Sequence, residues 1–523
     1  MAKGGNIFYH VYTGSFADGN GDGIGDIKGL INKLDYLNDG KGGGLGITGI
    51  WLFPIHRSHT YHKYDVLDYF SVDPDYGTVE DIRTLAKEAK KRGIDIILDL
   101  VFNCMAGTSE MFIDALHNPK SPYRDYFYFY DKYKGKPGFE LDAKWNTLPA
   151  WHTVPTLHGD ESYISLYHAL MPDLNFENKK VREMCKDVAS FWLEIGVAGF
   201  RLDSAMHLYS VAEVAPGVDY HQKNIDWWKE FSAHCQSIKK DIYLVGEVWD
   251  IDPRLRARYM QGLGSCFHFF LGAFIGEAVS AGRDNGQKLA NHLAACYEAY
   301  RETTGGDYMD APFLSNHDDH RYIGNYVFNE TDAKLAASIY LTLEGCPYIY
   351  YGEELGYIKP GKPCAKTNFK WMDSDSFLQS RTAFLWGEGD ACQTDYITFD
   401  DARLLPKDAE QQKQDPNSIY SHYVKLIKTR KKFNALLNGR CSMVNNTNES
   451  LLVYRMETVD EQISVVHNLS DISVKYDAPP GYVFDIQAQS EEKVSGFVTL
   501  TPKSTILSYC DAKNLWLCNN TGI

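Results

Sequence analysis

No two of the 11 cysteines stand in a C-x-x-C pair, so a zinc cluster built on paired cysteines is not expected. Thiols scattered without short paired spacings fit a reducing compartment. No run of about 18 apolar residues occurs, which leaves no candidate membrane span. The opening stretch "MAKGGNIFYHVY" lacks an apolar signal core and runs straight into a strand-like segment. The expectation is a cytoplasmic protein; secretion would require a leader outside this sequence. Basic charge is also short, with 53 Lys and Arg against 69 Asp and Glu and a formal net charge of −16. Without a basic excess to neutralise phosphates, a nucleic-acid partner is excluded. Repeats and low-complexity tracts are missing as well.

What the chain has is length and aromatic mass. Its 523 residues exceed one ordinary core, and aromatics reach 14%. Aromatic richness suits stacking on sugar rings, but large cores use it too, and composition alone favours the core. Eight short apolar runs read as strands: 6–12, 47–54, 94–103, 198–204, 241–249, 265–272, 311–318 and 346–354. Amphipathic segments lie between them. In "TVEDIRTLAKEAKKRG" the residues Ile82, Leu85, Ala86 and Ala89 share one face, and Gly93 stops the helix. Eight strands alternating with helices predict an α/β fold, a closed (β/α)8 TIM barrel.

Two regions break that rhythm. Residues 104–172 are rich in Tyr, Pro, Gly and Trp, show no obvious long helix, and are too long for a bare loop. They read as a small domain inserted after strand three. From 433 to 523 short alternating runs predict a C-terminal antiparallel β-sandwich domain. The barrel then comprises 1–103 and 173–432. The tail "DAKNLWLCNNTGI" is unassigned.

A barrel carries its site at the C-terminal ends of its strands. Asp99 stands in strand three, Asp203 ends strand four, Glu247 ends strand five and Asp318 follows strand seven. Arg201 lies two residues before Asp203, so both side chains face the barrel mouth. A cation there should keep Asp203 ionised and suit it to nucleophilic attack. One such acid is as readily a strand cap or half of an ion pair; four converging acids with an arginine are not. Several carboxylates without a Lys or Cys nucleophile or a phosphate loop point to glycoside chemistry. One carboxylate attacks the anomeric carbon, a second donates and retrieves a proton, and a third stabilises positive charge.

Four blocks resemble the signature regions of the α-amylase family of glycoside hydrolases: "DLVFNC" (99–104), "GFRLDSAMH" (199–207), "GEVWD" (246–250) and "FLSNHD" (313–318). The block "MPDLN" (171–175) resembles the branch between neopullulanases and oligo-1,6-glucosidases. The resemblance implies Asp203 as nucleophile, Glu247 as acid/base and Asp318 as transition-state stabiliser. Arg201 would orient Asp203, and His317 would contact sugar hydroxyls in the −1 subsite. In "YHKYDVLDY" (61–69) it implies Tyr64 stacking under the −1 sugar with His62 nearby. Asp65 would grip the non-reducing end of a chain. Arg381, in "SRTAFLW" (380–386), would pair with Asp65 and close the pocket behind that sugar. A packing tyrosine and an unrelated loop arginine are the plainer readings of Tyr64 and Arg381.

"DGNGDGIGD" (18–26) spaces oxygen donors for a hard cation: Asp18, Asn20, Asp22 and Asp26, with the carbonyl of Ile24 filling the gap. The expected cofactor is structural Ca²⁺, with Mg²⁺ as a substitute; the alternative is a glycine-rich turn with solvated acids. The resemblance also implies a second calcium between barrel and insert, on Asn103, Asp173 and the carbonyl of His207. Many relatives with "MPDLN" lack it, and a hydrogen-bonded hinge is the alternative.

Two positions depart from the family pattern. Cys104 stands where the first block normally ends in a His that bonds the 6-hydroxyl of the −1 glucose. A thiol is a weak donor and shorter than imidazole, so about 0.5–1.5 kcal/mol of binding should be missing. As a nucleophile Cys104 has no evident base, so a buried inert thiol is expected. Met206 stands where many endo-acting amylases have a +2-subsite lysine. The expected function is retaining hydrolysis of α-1,4 bonds in starch-type maltooligosaccharides. An α-glucosidase or 4-α-glucanotransferase on short α-glucans stays open as an alternative, as does a catalytically lapsed glycan-binding protein.

Overall fold

The computed structural model describes residues 5–281, 283–358, 376–398 and 405–510. At its centre stand eight parallel strands: β1 (Phe8–Val11), β2 (Gly49–Leu52), β3 (Asp95–Leu100), β4 (Gly199–Leu202), β5 (Tyr243–Gly246), β6 (Ser265–Phe267), β7 (Met309–Ala311) and β8 (Tyr348–Tyr350). From β1 to β7 each strand pairs with the next in the chain, and β8 returns to pair with β1. A parallel bridge from Phe313 to Tyr348 closes the seam after β7, and the Tyr348 N–H donates to the Pro312 carbonyl at 2.9 Å. The expected TIM barrel is therefore the fold. One strand is displaced from its expected place. The seventh run, 311–318, pairs at Met309–Ala311 instead, because Pro312 has no N–H to continue the ladder. Residues 313–318 are thereby released to the barrel mouth.

The interior changes character along the strands. Near their start it is apolar: the Phe8 ring stacks on Tyr243 and Tyr348 at 4.9 and 4.7 Å, alongside Ile97 and Phe267. Gly49 makes room for that ring, since a Cβ there would lie 2.4 Å from it. Side chains two residues further on face the same interior, and they are His10, Asp99 and Arg201. One step along the strand thus turns a packed floor into a polar site.

Outside the barrel the helix Val79–Lys91 buries Ile82, Leu85, Ala86 and Ala89, the face expected from the sequence. Thr78 and Asp81 form a capping box at its start, and Gly93 follows at φ 74°. The segment after β3 contains a helix of 8 residues, Glu110–His117, missed in the sequence because it is so short. It also contains two antiparallel hairpins, Lys144–Trp145 with Leu148–Pro149 and Trp151–Thr156 with Gly159–Ile164. These close on a small cluster of their own around Tyr128, Phe139, Trp151 and Leu166.

The C-terminal strands are β9 (Arg440–Met443), β10 (Leu451–Glu457), β11 (Gln462–Asn468), β12 (Val474–Asp485), β13 (Ser490–Leu500) and β14 (Thr505–Tyr509). They form one six-stranded antiparallel sheet, ordered β9-β10-β11-β14-β12-β13. It is apolar on both faces: Leu452, Tyr454 and Met456 join the main core, while Leu451 and Val453 share a second cluster with Val466, Val483 and Ile506. Among the described residues eight cysteines are free thiols, whereas Cys510 is disulfide-bonded, against the expectation of unpaired thiols throughout. Among the described residues no helix is long and apolar enough to cross a membrane. The tail 511–523 lies outside them.

Candidate active site

Arg201 is the hub of the barrel mouth. It stands opposite Asp99 in the β3–β4 register, so both side chains point inward side by side. Its Nη1 donates to both Asp99 oxygens at 2.9 and 3.1 Å and to Asp203 Oδ1 at 2.5 Å. Its Nη2 meets Glu247 Oε2 at 2.9 Å, an oxygen that also accepts the Ser204 N–H at 2.8 Å. Ser204 adopts φ 46°, a left-handed conformation that a serine rarely takes. Backbone strain of this kind gathers where structure over-determines a functional geometry, and no residue pattern signals it.

Three carboxylates thus share one guanidinium. From the sequence, Arg201 is expected to keep Asp203 ionised. Arg201 does pull that way, but burial acts more strongly, and with the Glu247 charge it pushes Asp203 up to about 7. Burial likewise raises Asp99 to about 7 against the pull of Arg201. Glu247 is raised by burial first, and further by Asp318 and Asp99. Near-neutral solution therefore leaves a proton within the cluster, the condition for one carboxyl to serve as acid while a neighbour stays charged.

Asp318 faces this cluster with different partners. Its Oδ2 lies 3.0 Å from His317 Nε2 and its Oδ1 accepts from Arg381 Nη2 at 3.3 Å. Burial works against its charge, but His317, Arg381 and Arg201 together outweigh burial and hold the carboxyl below its ordinary range. Burial pushes His317 down to about 4, so the ring is neutral at pH 7. Tyr64 Oη sits 2.7 Å from His317 Nε2 and donates to Asp99 Oδ2 at 3.2 Å. An Nε2–H tautomer satisfies all these contacts. Arg381 also donates to the His317 carbonyl and to Tyr61 Oη at 2.9 Å.

The expected Asp65–Arg381 pair does not form. The Asp65 carboxylate accepts from the Ser58 and Thr60 hydroxyls, while Arg381 turns to Asp318 and Tyr61. Two hydroxyls close in sequence satisfy the buried Asp65 carboxylate, and Arg381 serves Asp318 instead. His62 does reach the site, its Nδ1 accepting the Tyr64 N–H at 3.1 Å.

These groups open into a cleft of about 610 Å³. His62, Tyr64, Asp203, Glu247, Asp318 and Arg381 line one side of it. Trp145, Tyr167, Met171, Met206 and Trp249 supply aromatic and apolar wall. Sequence reasoning missed Trp145, Tyr167 and Trp249. Trp249 stood in plain view inside "GEVWD", but nothing in its spacing said that its ring would lie against Phe269 at 4.7 Å with 43% of its surface exposed. Cys104 also lines the cleft yet is only 1% exposed. Burial, then Asp173, Asp203 and Asp65, push its thiol well up, so it stays protonated as the inert reading expects.

Next to the cleft, Asn103 Nδ2 donates to the His207 carbonyl at 2.6 Å, joining the residues expected at a second cation site. Asn103 Oδ1, Asp173 Oδ2 and both Glu213 carboxylate oxygens are buried without hydrogen-bond partners. Burial raises Asp173 to about 8 against the Leu166 N–H, and burial together with the Asp173 charge pushes Glu213 well up. Glu213 was missed because it lies outside every motif, in the stretch after the second block. The loop 18–26 has its oxygens arranged in successive turns. Asp18 accepts the N–H groups of Asn20, Gly21 and Gly23, Asn20 accepts from Asp22, and Asp22 accepts from Ile24. Asp26 caps the next helix through Gly29 N at 2.6 Å, and burial raises it, with Asp18 and Asp22 adding to the shift. Among the described residues no Lys or Arg pairs with Asp18, Asp22 or Asp26. An all-oxygen donor set with uncompensated charge fits a hard cation in both places.

A closed parallel barrel with acids gathered round an arginine at the carboxyl ends of its strands, opening to an aromatic cleft, defines a glycosidase-type site. The α-amylase catalytic-domain model matches residues 10–439, and the chain belongs to the α-amylase family of glycosidases. It is 41% identical over 476 residues to α-amylase 3 of Dictyoglomus thermophilum, covering 89% of this chain and 85% of the relative. It is 30% identical over 470 residues to a 4-α-glucanotransferase of Thermotoga neapolitana, covering 89% and 96%. The crystal structure of an α-amylase from H. orenii superposes with a TM-score of 0.81 at 32% identity, over 97% of this chain and all of that one. The protein is an α-amylase family glycosidase acting on α-glucans.

Proposed function

We propose that the protein hydrolyses α-1,4-glucosidic bonds of maltooligosaccharides by double displacement, with retention at the anomeric carbon. The observation that carries this reading is the shared grip of Arg201 on Asp203 through Nη1 and on Glu247 through Nη2, with Asp318 held separately by His317 and Arg381. The two carboxyls most in need of adjacency are tied to one rigid fork. In the first step an Asp203 oxygen bonds to C1 as the C1–O bond to the leaving sugar breaks, and Glu247 gives its proton to the leaving oxygen. In the second, water attacks C1 as the bond to Asp203 breaks, and its proton returns to Glu247. Asp318 offsets positive charge at the oxocarbenium-like transition state, a task suited to a carboxylate held ionised. Tyr64 supplies the ring face beneath the −1 sugar.

Ca²⁺ is proposed at Asp18, Asn20, Asp22, Asp26 and the Ile24 carbonyl, with Mg²⁺ able to substitute. A second is proposed at Asn103, Asp173 and the His207 carbonyl, with Glu213 added. Both are structural and enter no chemical step. The second reading, glucanotransfer, draws on the relative of Thermotoga neapolitana and on the aromatic wall of Trp249 and Trp145, which suits a sugar acceptor. Digestion of maltoheptaose followed by anomer-resolved product analysis decides between them. Mixed shorter products, formed first as α-anomers, support hydrolysis. Products longer than the substrate support transfer, and β-anomers formed first overturn retention.

A further inference from the structure

Behind the barrel wall, away from the cleft acids, lies a second constellation of chemistry-bearing side chains. His268 follows β6 directly. His292 and Cys296 stand one turn apart on the helix Arg283–Thr304 and so share a face. His268 Nε2 lies 3.1 Å from His292 Nε2, and His292 Nε2 lies 3.7 Å from Cys296 Sγ. All three ligand atoms fall within 4.8 Å of one another. The other nitrogen of His268, Nδ1, lies 2.8 Å from Asp310 Oδ2, and both side chains are fully buried. None of these residues belongs to a family block, and none takes part in the proposed reaction.

The spacing is that of a metal's ligand shell. Tetrahedral zinc, with Zn–N near 2.0–2.1 Å and Zn–S near 2.3 Å, sets its nitrogens about 3.3–3.4 Å apart and nitrogen and sulfur about 3.6 Å apart. A carboxylate on the far nitrogen of a ligating histidine is the usual outer support of such a site, since it fixes the tautomer and turns the lone pair toward the ion. Asp310 holds His268 in that way. We infer that His268, His292 and Cys296 form a binding site for a zinc-class divalent transition ion, supported by Asp310.

Arg256 also faces the cluster, its Nη2 donating toward Cys296 Sγ at 3.8 Å. His292 is neutral, lowered to about 3 by burial, then by His268 and Arg256. It is half-buried, and its ring stacks on Phe274 at 4.0 Å. Three protein ligands leave one coordination position open.

Cobalt makes the test direct. The full-length protein is stripped with a chelator, returned to calcium, and titrated with Co²⁺ alone. The expected result is one equivalent bound with a thiolate-to-metal charge-transfer band and the visible bands of a tetrahedral ion, all erased by one equivalent of Zn²⁺ but not by excess Ca²⁺. Cys296→Ser loses the charge-transfer band, and His292→Ala binds at least tenfold more weakly with circular dichroism unchanged. A wild-type protein with no charge-transfer band at saturating Co²⁺ overturns the site and leaves only an Asp310–His268–His292 hydrogen-bonded chain. A band undiminished in Cys296→Ser overturns it equally, by assigning the metal to another thiol.

Discussion

Two buried groups of acids lie within a few residues of each other in this fold, and they are treated differently. Asp99, Asp203 and Glu247 share the guanidinium of Arg201, a cation built into β4. Asp173 and Glu213, across the wall toward the insert, have no Lys or Arg in ion-pair range among the described residues, and three of their oxygens are unpartnered. Burying a carboxylate is costly unless its charge is met. Where the chain supplies the cation itself, charge and proton can be divided among the acids and used for chemistry. Where it supplies none, the group depends on a proton or an ion taken from solution. The first cluster is expected to be sensitive in rate and the second in stability.

Asp203→Asn tests the chemical side hardest. A fall in kcat of about 10⁴-fold is expected with the melting temperature nearly unchanged, and retention of full activity removes Asp203 as nucleophile. Arg201→Met comes next, with a loss of about 10²–10³-fold. Its pH profile carries a sign. Arg201 lowers the Asp203 pKa, so without it the carboxyl keeps its proton to higher pH; the attacking form is the ionised one, and the acidic limb of kcat/KM should move upward. A limb that stays put or moves down breaks the link between the two residues.

The stability side has its own measurement. Removing calcium with a chelator should lower the melting temperature by about 5 °C, as expected for an ion held well above its dissociation constant. In the double variant Asp173→Asn, Glu213→Gln that response should shrink while kcat changes little. An undiminished response would place the whole effect in the loop 18–26. The smallest effect is expected at the position between the clusters. Cys104→His restores a hydrogen bond worth about 0.5–1.5 kcal/mol, or about 2- to 10-fold in kcat/KM on maltooligosaccharides. Lower turnover in that variant would make the thiol a device of specificity.

The difference between the clusters also explains what the sequence disclosed. Strand ends recur in a fixed order, and a strand's period of two sets which residues face inward, so Asp99, Arg201, Asp203, Glu247 and Asp318 were legible as one group. Long-range partner choice was not. Asp65 found hydroxyls two turns of chain away, and Arg381 found Asp318, because loop closure decides which of several nearby donors arrives first. Glu213 and Ser204 were invisible for related reasons: one meets Asp173 only through folding of the insert, and the other matters through its backbone angle. The β7 ladder was misplaced by a proline whose effect is local and whose neighbours are apolar enough to mimic a strand. The fate of Asp203's proton was misjudged because a sequence displays the arginine beside it but not the water withdrawn from around it.

One consequence follows from where the cleft wall comes from. Trp145, Tyr167 and Met171 are contributed by the insert, while the acids belong to barrel strand ends. Tyr167 touches the acid cluster's backbone support through a single 2.8 Å contact with the Ser204 hydroxyl. The residues that wall the cleft and those that carry the acids thus come from different parts of the chain. Lineages can rework the first by altering hairpins that carry no reacting group, and a single scaffold can give rise to enzymes with different tastes in substrate.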